Sequence, residues 1–336
     1  MNTFPIFLKP IAESMKWGRG DLAVAILLGS MVPGIVSPLA GTLIDRIGAK
    51  KIMAMSAAFV GTSFGGMVMS PVFNWIILRY DWRTALLVSG VTIWVVVVPL
   101  ILFAIRTHPR EMGLNPYQTG ILAGTPAQEP WGFSVKEAFS LKEFWQIGVI
   151  IFIISLAFTG LNNHCVAYLN DLGHSPTRAA FAWSLVMGSM VFGKIAFGPI
   201  ADRWGAKISM AISCVLFSVS VGILIFADRY WVVMVFAGLY GFSCGAPLVI
   251  NPLLTGDYLG VKNFATLFGI LTITGTMGGA LGPVGAGYVF DIYGSYIPVF
   301  YFLIPLMLVC ALIAMVLKPA ARPELSPVSE LLREPV

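Results

Sequence analysis

Long apolar runs alternate along the chain with short polar turns. Nine runs, at about 22–44, 52–78, 84–105, 144–164, 179–200, 208–227, 231–250, 264–290 and 297–317, are bounded by charge, Pro or Gly. Each reaches the roughly 20 apolar residues that carry a helix across a bilayer. Apolar residues fill the runs continuously instead of at every second position, which predicts spanning helices and excludes a β-barrel. A tenth run, Phe4 to Ala12, is too short to cross alone.

Composition makes the bilayer the expected solvent. Hydrophobic residues are 57% of the chain, charged residues 11%, and the mean hydropathy is +0.85. Soluble domains carry about 25% charged residues. The net charge of +5 comes without a basic run interleaved with aromatics, so no nucleic-acid partner is expected. Cys165, Cys214, Cys244 and Cys310 form no Cys-x-x-Cys pair and read as buried packing residues. Lys9 and Pro10 break the first apolar run too early for a cleavable signal peptide.

Lys and Arg set the orientation. With the Gly41–Lys50 turn in the cytoplasm and the spans alternating, 13 of the 21 cations fall inside and 7 outside, and Lys194 lies within a span. Residues 106–143 form a Pro- and Gly-containing inner linker between two halves, and the C-terminus falls inside. Trp75, Trp82, Trp145, Trp204 and Trp231 stand near span ends, as interfacial anchors do.

The halves are internal repeats. "GTLIDRIGAK", Gly41 to Lys50, returns as "GPIADRWGAK", Gly198 to Lys207, only 157 residues later. From Lys207 to the end of the last span is 110 residues and four spans; from Lys50 to Ile105 is 55 residues and two spans. The first half is therefore short by two helices, and upstream of Gly41 it is also short of part of its first helix. "GGMVMSP", ending at Pro71, parallels "GGALGP", ending at Pro283, so most of 52–78 corresponds to a fifth helix. A junction near Met55–Phe59 joins a third helix to a fifth and keeps the topology downstream.

These residues resemble the major facilitator superfamily. Its Gly-x-Leu-x-Asp-Arg-x-Gly-x-Lys-Lys signature is matched at Gly41, Leu43, Asp45, Arg46, Gly48, Lys50 and Lys51. The second copy is matched at Gly198, Asp202, Arg203, Gly205 and Lys207. "FLKPIAESMKWGRGDLAVAILL", "DWRTALLVSG", "HPREMGLNP", "YLNDLGHSPTRAAFAWSL" and "GGALGPVGAGYVFDIYGSY" are similar to the monocarboxylate-porter and oxalate–formate-antiporter branch. The resemblance implies that both turns latch one conformation and release during alternating access. Physically, glycine at a helix end permits close approach, Asp can face a neighbouring helix N-terminus, and Arg and Lys hold the turn at the headgroups.

All 16 acidic residues lie outside the spans, whereas Lys194 lies inside one. A charge at mid-span costs roughly 2.5–3.5 kcal/mol on insertion scales, so it marks a pathway or a partner. The resembled branch places a substrate-binding Arg here; Lys194 keeps the charge without the bidentate fork. The other reading is that its stem snorkels about 9 Å to the inner headgroups. Met190 stands where animal monocarboxylate porters have an Asp. Gly188 to Lys194 imitates a nucleotide-binding loop but lacks the following Ser or Thr and sits in an apolar helix, so no ATP chemistry follows. Asn162, Asn163 and His164 end the seventh family helix on the outer side, either as a polar substrate entrance or as a wet helix end. Gly275, Gly278, Gly279, Gly282, Gly285 and Gly287 are expected to permit close packing and bending of the eleventh.

The expected fold is an all-α integral membrane protein of the major facilitator type with an incomplete N-terminal half. It divides into 1–105, a linker at 106–143, a six-helix half at 144–318 and a tail at 319–336. The expected function is secondary transport of a small organic anion across an inner or plasma membrane, coupled to a proton or counter-anion. Lys194, Asn162 and His164 are the candidate substrate residues, with no catalytic role, cofactor or metal. The alternative is a transport-inactive paralogue or membrane sensor.

Overall fold

The computed structural model describes residues 4–24, 52–92, 94–95 and 131–318, with side chains from residue 65 in the second segment. The first signature turn, with Gly41, Asp45, Arg46, Gly48 and Lys50, lies outside the described residues, as does most of the expected span 22–44. The tail at 319–336 and residues 96–130 lie outside as well.

Ten helices are named here. Helix α1 (Pro5–Met15) precedes a helical start at 19–24. Then come α2 (Ile52–Arg79), α3 (Trp82–Thr92) and α4 (Val135–Ser140). The last six are α5 (Lys142–Asp171), α6 (Pro176–Trp204), α7 (Ala206–Leu224), α8 (Tyr230–Leu259), α9 (Phe264–Tyr293) and α10 (Ile297–Val316). These six are long and apolar enough to cross a membrane. The protein is an all-α, multi-pass membrane protein of the kind the apolar runs predict.

Helix ends follow local chemistry. Ser175 and Pro176 open α6, the serine hydroxyl accepting from the Arg178 amide. Gly294 closes α9 in the left-handed region (φ 67°). Helix α2 runs unbroken for 28 residues through the proposed junction, with Pro71 inside it. The chain forms two units, 75–130 and the remainder, of which the second carries the six-helix bundle.

Within that bundle, α5 packs on α9, α6 on α8, and α7 on both α8 and α10. Two of these crossings are made by glycine. A Cβ on Gly278 or Gly282 of α9 would collide with the Phe152 or Leu156 carbonyl of α5. A Cβ on Gly193 of α6 would meet the Phe242 carbonyl of α8, and one on Gly241 of α8 would meet Val186 of α6. Lipid tails provide no hydrophobic drive between helices, so this backbone contact supplies dispersion directly. Of the other α9 glycines, Gly275 is tight against Ile151 and Gly287 against the Gly20 backbone, whereas Gly279 makes ordinary contact and Gly285 meets nothing within 4 Å among the described residues. All four cysteines are buried and free.

Residues 131–141 are built onto the bundle. The Trp131 carbonyl accepts from the Val261 amide (2.9 Å), the Phe133 amide donates to the Leu259 carbonyl (3.1 Å), and Asn263 donates to the Phe133 carbonyl (3.0 Å). Ser134 and Glu137 cap α4 reciprocally.

Candidate functional site

Lys194 lies on α6, 18 residues from Pro176 and ten from Trp204. The side chain is 6% exposed, so its stem is enclosed by protein instead of lying along a lipid-facing surface. Its backbone is at the α6–α8 crossing: a Cβ built on Gly245 would stand 2.5 Å from the Lys194 nitrogen. Gly193 and Gly245 therefore fix where the lysine sits. Met190, one turn earlier, is 2% exposed.

Asn162, Asn163 and His164 do not end their helix. Helix α5 continues to Asp171, and all three side chains are buried at 6%, 8% and 2% exposure. The apolar run ends near residue 164, but Val166, Ala167 and Leu169 continue the buried pattern to the helix end. Asn163 donates to the Thr159 carbonyl one turn back (2.9 Å), and the Asn162 side-chain oxygen is buried without a hydrogen bond among the described residues. His164 is packed into the structure. Its Nε2 is 2.9 Å from the Pro283 carbonyl and its Nδ1 is 2.9 Å from the Tyr296 hydroxyl. The carbonyl can only accept, so Nε2 carries the hydrogen, and Nδ1 accepts from Tyr296. Burial holds the Tyr296 phenol well above its ordinary pKa, which keeps that proton in place.

His164 is seven residues from the end of α5, about 10 Å along the helix, whereas Lys194 is about 27 Å from the same end of α6. A small anion cannot touch both at once. Lys194 and the trio therefore occupy different depths of the bundle.

Sequence reading did not anticipate a cluster at the end of α5, which joins residues 152 positions apart. Arg19 grips Asp171 with both guanidinium branches, at 2.7 and 3.1 Å, and also donates to the Tyr296 hydroxyl at 2.9 Å. Its guanidinium stacks 3.8 Å from the Phe290 ring centroid. Lys9 of α1 reaches the same Asp171 carboxylate at 2.9 Å. Asp291, at the end of α9, accepts the backbone amides of Arg19 (3.1 Å) and Gly20 (2.8 Å). Burial lowers the Arg19 pKa, but the hydrogen bonds it donates to Asp171 and Tyr296, with their charge, outweigh that and leave the group above its ordinary value. Gly18 and Gly20 leave room for Asp291 and the Tyr288 ring. The available signal was "WGRGD", in which glycine flanks a cation at a helix start.

The second signature turn is resolved in part by its backbone. Gly205 takes φ 85° and ψ 155°, a region essentially reserved for glycine, and joins α6 to α7 without a loop. Asp202 and Arg203 are exposed on the last turn of α6, and Lys207 is half-buried at the start of α7. Gly198 meets nothing within 4 Å among the described residues.

Comparison with known proteins agrees with this architecture. Residues 149–335, more than half of the chain, match the Major Facilitator Superfamily. Similar proteins include monocarboxylate transporter 13 of Rattus norvegicus, 25% identical over 277 residues covering 82% of this chain and 61% of the relative. Monocarboxylate transporter 12 of Homo sapiens is 23% identical over 320 residues, covering 88% of this chain and 61% of the relative. Monocarboxylate transporter 11 of Mus musculus is 24% identical over 296 residues, covering 82% and 61%. The chain thus spans about three-fifths of the length of these relatives. With two signature turns, six spanning helices and glycine-lined crossings between them, the chain belongs to the Major Facilitator Superfamily.

Proposed function

We propose that the protein carries a small organic anion, a monocarboxylate or dicarboxylate, across an inner or plasma membrane by alternating access, with its C-terminus cytoplasmic. The observation that carries this reading is Lys194: a cation 6% exposed at the middle of a spanning helix. A buried mid-membrane charge is costly and marks a substrate pathway. The names of the similar proteins support a monocarboxylate-type substrate. Lys194 meets the carboxylate as a point charge, and Gly193 and Gly245 hold its backbone in register. Coupling is to a proton or a counter-anion. The two signature turns, including Gly41, Asp45, Arg46, Gly48 and Lys50 in the first, latch the cytoplasmic side.

The test is uptake by purified protein in liposomes over a carboxylate panel, with an imposed pH gradient or a trans anion in parallel arms. Lys194→Ala is expected to abolish uptake and Lys194→Arg to retain it. Equal transport by Lys194→Ala would overturn the site. Carboxylate binding without uptake in any arm favours the sensor reading.

A further inference from the structure

Asp171 is treated by its neighbours as a bound carboxylate ligand. Two cations from the N-terminal segment, Lys9 and Arg19, converge on its two oxygens at 2.9, 2.7 and 3.1 Å. The fork geometry is the one a guanidinium offers any planar carboxylate. The Arg19 branch is preset from the other side by the Tyr296 hydroxyl (2.9 Å) and the Phe290 ring (3.8 Å). Asp291 contributes no oxygen to the guanidinium; it is occupied by the Arg19 and Gly20 amides. Glu13, 4.0 Å from Lys9 and 68% exposed, is peripheral. The two cations and the one carboxylate belong to segments that only the tertiary structure brings together. If α5 draws away from the segment around residues 9–20, Lys9 and Arg19 remain as neighbours on one side and lose the carboxylate they share.

We propose that Lys9 and Arg19 form a second carboxylate-binding site, distinct from Lys194 and at a different depth of the bundle, which Asp171 occupies as an internal stand-in while this end is closed. An incoming small carboxylate replaces Asp171 at the fork and thereby parts α5 from the N-terminal segment, so capture of the anion and opening of this end are one event. The site rests on the transport reading for its purpose but not for its chemistry. An internal competitor lowers apparent affinity by the fraction of time the site is vacant. A site vacant a tenth of the time gains about tenfold when the competitor is removed.

Acetate is the probe, acetamide its uncharged analogue, and detergent-solubilised full chain the sample, with binding read from ligand-dependent thermal stabilisation. The Lys194→Ala background isolates the new site. Adding Asp171→Asn or Asp171→Ala is expected to tighten acetate binding at least about tenfold with no response to acetamide, and further adding Arg19→Gln to abolish it. No acetate response in either Asp171 variant, or an equal response to acetamide, overturns the proposal. The parent chain gives an independent measurement, since spin labels at the exposed Met15 and Leu172 should move apart on addition of acetate as α5 leaves the N-terminal segment; an unchanged distance also overturns it. Acetate binding to the parent through Lys194 alone would remove this site and leave the transport reading standing. Acetate binding at Arg19 in a chain that transports nothing would do the reverse.

Discussion

Replacing Gly245 by Ala tests whether the α6–α8 crossing holds Lys194 in place. The added Cβ would lie 2.5 Å from the Lys194 nitrogen and 2.7 Å from both the Gly193 carbonyl carbon and the Met190 oxygen. Ordinary contact begins at 3.4 Å, so the two helices must part by about 0.9 Å. All three obstructing atoms are backbone, and no rotamer change relieves them. Overpacking of this kind costs about 1–3 kcal/mol, and the absence of a side chain that can yield puts this site near the upper end. The higher helix propensity of Ala returns about 1 kcal/mol. The net loss is about 2 kcal/mol, or roughly a thirtyfold change in the ratio of folded to unfolded protein. Gly238→Ala is the control: it lies on the same helix and meets nothing within 4 Å among the described residues, so only the propensity gain applies. Unfolding in mixed micelles, followed in parallel for both variants, should place Gly245→Ala below the parent and Gly238→Ala at or above it. Carboxylate binding should weaken in Gly245→Ala alone, because the displaced backbone is that of Lys194. Equal stability of the two variants would refute the crossing as described.

Three further outcomes are expected. Lys16 is the only non-glycine residue with positive φ among the described residues (φ 55°), whereas Gly173 takes φ 89° just after α5. Since left-handed backbone costs an L residue roughly 1–2 kcal/mol, Lys16→Gly should be neutral to stabilising and Gly173→Lys destabilising in the same micelle unfolding assay. Tyr296→Phe keeps the ring stack on Phe290 (4.6 Å) but leaves His164 Nδ1 and one Arg19 branch without this partner. A loss of about 1–3 kcal/mol is expected, with faster hydrogen exchange at the Arg19 and Gly20 amides. Ser134→Ala removes one half of the α4 cap and should cost the local fold about 1 kcal/mol, read as faster proteolysis near Trp131. The Ser134 amide and hydroxyl hold the Glu137 carboxyl below its ordinary pKa. That contribution is present above the unfolded glutamate value and disappears as pH falls through the lowered one, so proteolysis of the parent should rise under acid and that of Ser134→Ala should respond less.

The six spans from Lys142 to Val316, the repeat of the signature turn and the family were legible in the sequence because each is a local signal. A continuous apolar run of spanning length must be helical in lipid, wherever its neighbours lie. Gly205 in the turn is likewise local, since its φ of 85° demands glycine on backbone grounds alone. The buried lysine was also legible, as one cation inside a long apolar run. What the tertiary structure decided is pairing at long sequence separation. Hydropathy ended the helix at the Asn162–His164 trio, as a substrate entrance or a wet end, because it reads polarity and not what covers it. The Pro283 carbonyl and the Tyr296 hydroxyl, 119 and 132 residues away, supply the hydrogen bonds that let His164 be buried. The glycines of α9 looked alike in sequence, yet Gly282 meets a carbonyl and Gly285 meets nothing, because the crossing selects one face. Arg19 stands at a helical start and Asp171 at a helix end, both ordinary places for a charge. Folding joins them across 152 residues, and no periodicity carries that distance because it depends on which helices pack together.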